Sequence, residues 1–143
     1  MDWKNTVLMG FLSAWYTAKS TLKLPVERFT FTGSITMLTY GLHHLKKLKA
    51  NCEDFKWYDL SDFATESRID LLIVDGPPVS TVRFARYPAL PLLAVYLSKQ
   101  CTIINHDTNR KEETGIVKRW LKEFPEFTAD IRQTDKGITI LTR

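Results

Sequence analysis

The chain has 143 residues, 44% of them hydrophobic and 25% charged, with a formal net charge of +4. This is ordinary globular composition, enough for one domain with a sizeable core and too short for two ordinary ones. It excludes a wholly disordered chain, a collagen-like chain and a disulfide-dense miniprotein.

Residues 1–68 carry 9 basic and 7 acidic side chains, and residues 69–143 carry 11 and 9. The positive surplus is spread evenly, and no block reads as a nucleic-acid-binding arm. Cys52 and Cys101 are far apart and share no metal spacing. Two free thiols in a reducing compartment are expected, with a cytoplasmic location, over a disulfide.

Thr6 to Ala18 is apolar, but a spanning helix needs roughly 20 apolar residues. A signal peptide would want a basic start and a small-residue cleavage site, and Asp2 precedes Lys4 here. Val7, Leu8, Phe11, Leu12 and Trp15 share one helical face. Residues 1–25 are therefore expected to form an amphipathic helix packed on a single domain of residues 1–143, over the reading as a signal or anchor. No transmembrane segment is expected. Pro25 ends that helix.

Glu27 to Thr32 alternates and holds β-formers, which suggests a short strand. Gly33-Ser34 is a turn. Ser34 can cap a second helix with Ile35, Leu38, Leu42, Leu45 and Leu48 on its apolar face. Lys46, Lys47 and Lys49 would then suit the negative end of its dipole. Phe55 to Tyr58 is a strand candidate, and Ser61 to Arg68 a polar connection or short helix.

Ile69 to Val74 (IDLLIV) is a near-continuous apolar run closed by Asp75-Gly76-Pro77-Pro78. Such a run reads as a strand buried on both faces, hence a parallel α/β sheet. Pro88 to Leu97 reads as a helix. Thr102 to Ile104 is a second buried strand, closed by Asn105-His106-Asp107. The next helix has its apolar face at Ile116, Val117, Trp120, Leu121 and Phe124. Asp107 or Thr108 would cap it, and Pro125 stops it. Phe127 to Gln133 and Ile138 to Thr142, joined by Asp135-Lys136-Gly137, read as an antiparallel hairpin.

In an open parallel sheet, ligands sit at the carboxyl ends of the strands. If the two buried strands are neighbours, their closing loops bring Asp75, Asp107, Asn109 and Arg110 to one crevice. Arg86 lies on the connection leaving the first loop, as a ligand for an anionic substrate or a clamp on that loop. Arg110 at a helix start opposes the dipole preference and calls for a nearby carboxylate or ligand. His106 could act as a general base, although a structural histidine is the simpler reading. His43 and His44 are adjacent on the expected helix and point in different directions, so they do not read as a metal pair.

LLIVDGPP (Leu71 to Pro78) with ARYPALPLL (Ala85 to Leu93) resembles a family of class I S-adenosylmethionine-dependent methyltransferases. WYDL (Trp57 to Leu60), HDTNRKEE (His106 to Glu113), RWL (Arg119 to Leu121) and the closing hairpin extend the resemblance over roughly residues 55–143. It implies an α/β fold with a Rossmann-like sheet, mainly parallel with an antiparallel C-terminal hairpin. It further implies S-adenosylmethionine as cofactor, with Tyr58, Asp75, Gly76 and Pro77 beside it. Asp75 and Asp107 would then be catalytic, and Arg86, Asn109 and Arg110 would contact the acceptor, a small molecule or other group that the sequence does not identify. Some related O-methyltransferases hold a divalent metal with carboxylates of these two loops, for which Asp75, Asp107 and Asn109 would be candidates. An all-oxygen set suits Mg²⁺ or Ca²⁺ better than Zn²⁺. His106 stands where that family is usually acidic, and no metal ligand is assigned.

Upstream the chain departs from the family. Its cofactor loop is glycine-rich and follows the first strand, whereas here Gly33, after a weak strand, is the available candidate. Fewer strand candidates precede residue 69 than three βα units need, so the N-terminal part is expected to be shortened. Two readings follow: a small methyltransferase-like enzyme, or a methyltransferase-like binding module without catalysis. An edge left open by missing strands would invite a second copy, giving a homodimer.

Overall fold

The computed structural model describes residues 6–9, 35–38, 45–61, 63 and 68–143. Eight strands and two helices lie in these residues: β1 (Thr6–Met9), β2 (Ile35–Leu38), β3 (Leu45–Ala50), β4 (Glu53–Tyr58), β5 (Ile69–Val74), α1 (Ala89–Leu93), β6 (Leu97–His106), α2 (Lys111–Glu123), β7 (Thr128–Arg132) and β8 (Ile138–Thr142). A single 3₁₀ turn, Ala94–Tyr96, joins α1 to β6.

Six strands form one sheet in the order β2-β1-β5-β6-β8-β7. The pairs β1–β2, β1–β5 and β5–β6 are parallel. β8 runs antiparallel to both β6 and β7. The chain is therefore mixed α/β, with parallel strands followed by an antiparallel hairpin.

β5 reads as a two-faced buried strand and is one. Ile69, Leu72 and Val74 join a large core with Trp57, Tyr87, Leu90, Leu93, Ile103, Ile116 and Trp120. Leu71 and Ile73 turn to the other face, against Ile104, Ile138 and Ile140. Strand alternation sets this split, and an irregularity between Ile69 and Leu71 puts Ile69 with Leu72 and Val74. α2 buries Glu113, Ile116, Val117 and Trp120, the spacing of one helical stripe. Its cap is Arg110, with no side-chain capping bond, rather than Asp107 or Thr108. Phe124 N–H still bonds to Trp120 C=O, and Pro125 has no N–H to continue the ladder.

Two expectations fail. Thr6–Met9 is a strand between β2 and β5, not part of a helix; the remainder of the expected 1–25 helix lies outside the described residues. Ile35–Leu38 and Leu45–Ala50 are strands, not turns of one helix. Leucines at helical spacing also fit these strands, because pairing partners decide between them. Leu48 pairs with Phe55 and Leu45 with Tyr58 across a separate two-stranded sheet. Asn51 (φ 46°) and Cys52 (φ 66°) form its turn, both left-handed as a two-residue hairpin turn requires. The helix expected over Pro88 to Leu97 is shorter, and Leu97 already belongs to β6. The strand expected over Glu27 to Thr32 lies outside the described residues.

The β3–β4 hairpin is fastened to α2. Arg119 makes two bonds to Glu53, at 2.9 and 3.0 Å, and one to Glu123 at 2.9 Å. Its guanidinium carbon lies 3.7 Å from the Tyr87 ring centroid. Asn51 donates to the Tyr87 hydroxyl and to Glu123. These contacts set Trp57 and Tyr58 over the sheet, beside the carboxyl end of β5.

Candidate functional site

β1 lies between β2 and β5, and the chain goes first to β2 on one side of it and later to β5 on the other. The strand order reverses between β1 and β5, where Met9 pairs with Val74. Such a switch point at the carboxyl ends of parallel strands is where open α/β sheets take their ligands. Asp75 is the residue that leaves β5 there. Gly76 and Pro77 follow, joined by a cis peptide bond, and both are buried.

β6 ends one strand further on, at His106, and Asp107 leaves it with φ 61°. A left-handed non-glycine residue is uncommon and is tolerated best by Asp and Asn. Asp75 and Asp107 do meet. The residue between them is Arg86, 3% exposed. Its Nη1 donates to the His106 carbonyl at 2.7 Å. Its Nη2 lies 3.3 Å from Asp107 Oδ2 and 3.6 Å from Asp75 Oδ1. Its Nε is 3.7 Å from Glu113 Oε1. Arg86 is thus a clamp on both loops, and its charge is spent inside the protein.

Two residues belong here that the sequence reading placed otherwise or left aside. Glu113 lies in the first turn of α2, where an acidic side chain suits the helix dipole from the surface, yet it is fully buried. Asn105 Nδ2 donates to it at 3.4 Å. Burial pushes its carboxyl up, against the pull of Arg86 and the Asn105 bond. The sequence signal was its place in the buried stripe with Ile116, Val117 and Trp120. His106 is buried, with Nδ1 3.2 Å from Asp75 Oδ1 and 3.4 Å from Asp107 Oδ1.

Tyr58 is 3% exposed and close enough to feel both charges. Burial pushes its hydroxyl up to about 12, Arg86 pulls it down and Asp75 raises it. Its ring lies 5.4 Å from that of Trp57, which is wholly buried.

Asn109 and Arg110 are exposed at the rim. Arg110 reaches Asp107 Oδ2 at 3.3 Å, the carboxylate that its place at a helix start called for. Asn109 faces the hairpin turn: its amide donates to Thr134 C=O at 3.0 Å and Asp135 C=O at 3.4 Å. The backbone N–H groups of Thr108 and Asn109 bond to the carbonyls of Gly137 and Lys136. Asn109 is therefore not gathered with Asp75 and Asp107. Gly33 lies outside the described residues, as do His43 and His44.

No protein-family model matches the chain, and a comparison with curated proteins returns no match. No helix among the described residues is long and apolar enough to cross a membrane.

Proposed function

We propose that the chain is a small methyltransferase-like enzyme that takes S-adenosylmethionine at the crevice between the carboxyl ends of β1 and β5. The observation that carries this reading is the reversal of strand order beside Asp75, on a parallel sheet whose β8 is inserted antiparallel between β6 and β7. That order agrees with the Rossmann-like sheet and terminal hairpin implied by VDGPP and ARYPALPLL. The crevice suits an adenosine-bearing ligand because a switch point leaves room between diverging loops.

The cofactor, when bound, supplies the methyl group. The chain's own work is alignment of the acceptor, the main source of acceleration when two reactants meet in a fixed geometry. Asp75 keeps a partly exposed carboxylate at the crevice and orients the acceptor or takes its proton. Asp107 and Arg86 hold the Asp75 loop against the end of β6. Arg110, at the rim, is open to an acceptor.

The second reading, a methyltransferase-like binding module without catalysis, is favoured by the burial of Gly76, Pro77 and Tyr58. Calorimetric titration with S-adenosylmethionine and S-adenosylhomocysteine separates the two, with Asp75→Ala as control. Micromolar binding weakened by the substitution supports the enzyme. Absence of heat at millimolar ligand, with the protein folded by circular dichroism, leaves the binding module.

A further inference from the structure

The donor atoms at the ends of β5 and β6 outnumber the hydrogen bonds made among them. His106 is 5% exposed, and neither of its ring nitrogens has a hydrogen-bond partner among the described residues. A buried polar atom left unsatisfied is costly, because it gives up its hydrogen bonds to water and gains none. Nδ1 nevertheless sits 3.2 and 3.4 Å from one oxygen each of Asp75 and Asp107. The contacts have ion-pair distance without hydrogen-bond alignment. One ligand atom from each of the three residues lies within 4.8 Å of the other two.

Those separations are what a bound ion would impose. Ligands at about 2.0–2.1 Å in a tetrahedron stand about 3.3 Å apart. Asp107 supports the same division of labour: Oδ2 faces Arg86 and Arg110, and Oδ1 is left toward His106. Asp75, Asp107 and Glu113 all face Arg86, the one buried cation among the described residues, so three acidic side chains share one buried positive charge. A cation between Asp75 and Asp107 adds positive charge where the carboxylates outnumber it, and the side chain of Asp75, 12% exposed, leaves a way in.

We propose that Asp75, His106 and Asp107 form a divalent metal site that selects Zn²⁺ or Co²⁺ over Mg²⁺ and Ca²⁺. An imidazole nitrogen in place of an oxygen is the reason. Mg²⁺ and Ca²⁺ want all-oxygen shells of six or more, whereas a nitrogen donor suits the first-row transition metals. Three protein ligands leave a position for water or substrate, the pattern of reactive rather than structural sites. Asn109, the third oxygen donor that the resemblance offered, is bound to the hairpin turn, and His106 takes its place. Arg86 holds the backbone of His106 and the far oxygen of Asp107, which fixes the direction of two ligands. This inference does not depend on the methyltransferase reading.

The test is titration of the metal-stripped full chain with CoCl₂, ZnCl₂ and MgCl₂, followed by calorimetry and by the visible d–d absorption of Co²⁺. One Co²⁺ or Zn²⁺ per chain is expected, with Mg²⁺ bound about 100-fold more weakly or worse. His106→Gln should weaken Zn²⁺ by more than about 100-fold and abolish the Co²⁺ band. Asp75→Asn, at the partly exposed ligand, should weaken it in the same direction should His106→Gln not fold. In ¹⁵N-resolved spectra of the wild type, Zn²⁺ should shift the Nδ1 resonance of His106. Zn²⁺ binding that survives both substitutions, Mg²⁺ binding as tight as Zn²⁺, or no binding at all would overturn the proposal.

Discussion

Arg86 donates from Nη1 to the backbone carbonyl of His106 at 2.7 Å, joining the connection after β5 to the last residue of β6. The same guanidinium faces the carboxylates of Asp75, Asp107 and Glu113. A buried cation with several acidic partners is expensive to remove, because the partners stay behind uncompensated. Arg86→Met is expected to destabilise the fold by about 3–5 kcal/mol. Urea unfolding followed by tryptophan fluorescence checks this; a loss under about 1 kcal/mol would mean that the clamp is dispensable.

Glu113 predicts a pH dependence. Burial raises its carboxyl in the folded chain above its ordinary value of 4.5. The folded state then holds the proton more tightly than the unfolded one over the interval between the two values. Stability from this group is present below the unfolded value and is lost as pH rises through the folded one. Glu113→Gln should therefore flatten the fall of melting temperature with rising pH above about 4.5. Melting curves for both proteins between pH 4 and 8 decide it: parallel curves would show that Glu113 ionises without penalty.

The hairpin β3–β4 rests on Arg119, through Glu53, Glu123 and the Tyr87 ring. Arg119→Met keeps the length of the side chain and removes these contacts. Amide exchange should quicken at Phe55 and Trp57, while β5 and β6 keep their protection. The cation–π contact alone is worth about 0.5–1 kcal/mol at a site of this exposure. Hydrogen exchange followed by mass spectrometry reads both segments in one experiment.

Gly137 sits at φ 74° in the turn between β7 and β8. A Cβ there would lie 2.5 Å from Asn109 Oδ1 and 2.6 Å from Asn109 N. The backbone atom cannot swing aside as a side chain can. Gly137→Ala should cost about 1–3 kcal/mol, from the left-handed conformation and the collision together. Thermal melting checks the size. Asn109→Ala in the same background should restore little, since the 2.6 Å contact to the backbone nitrogen remains.

The elements legible in the sequence are those whose signal is local and strong. IDLLIV bounded by Asp75-Gly76 could be read as a buried strand because six residues closed by turn formers suit a strand and are short for a buried helix. α2 carried its stripe from Ile116 to Trp120 and its stop at Pro125. The Asp135-Lys136-Gly137 turn announced the hairpin. The meeting of Asp75 with Asp107 followed once two parallel strands were taken as neighbours, since their ends lie side by side.

The elements that were misread are short and depend on distant partners. Thr6–Met9 is a threonine and three apolar residues, which fit a helix face as well as a strand until β2 and β5 are paired on either side. Leu45 and Leu48 fit a helical repeat until Phe55 and Tyr58 are set opposite them. The chemistry of the site divides in the same way. The sequence by itself determined that Asp75, His106 and Asp107 stand at strand ends and Arg110 at a helix start, because residue type and element length are local properties. Tertiary structure alone decided that Arg86 is buried among three carboxylates and that Asn109 turns to the hairpin. It also decided that His106 sits between Asp75 and Asp107 with no hydrogen-bond partner for its ring among the described residues. Burial and separation belong to pairs of residues far apart in the chain, and no local pattern encodes them.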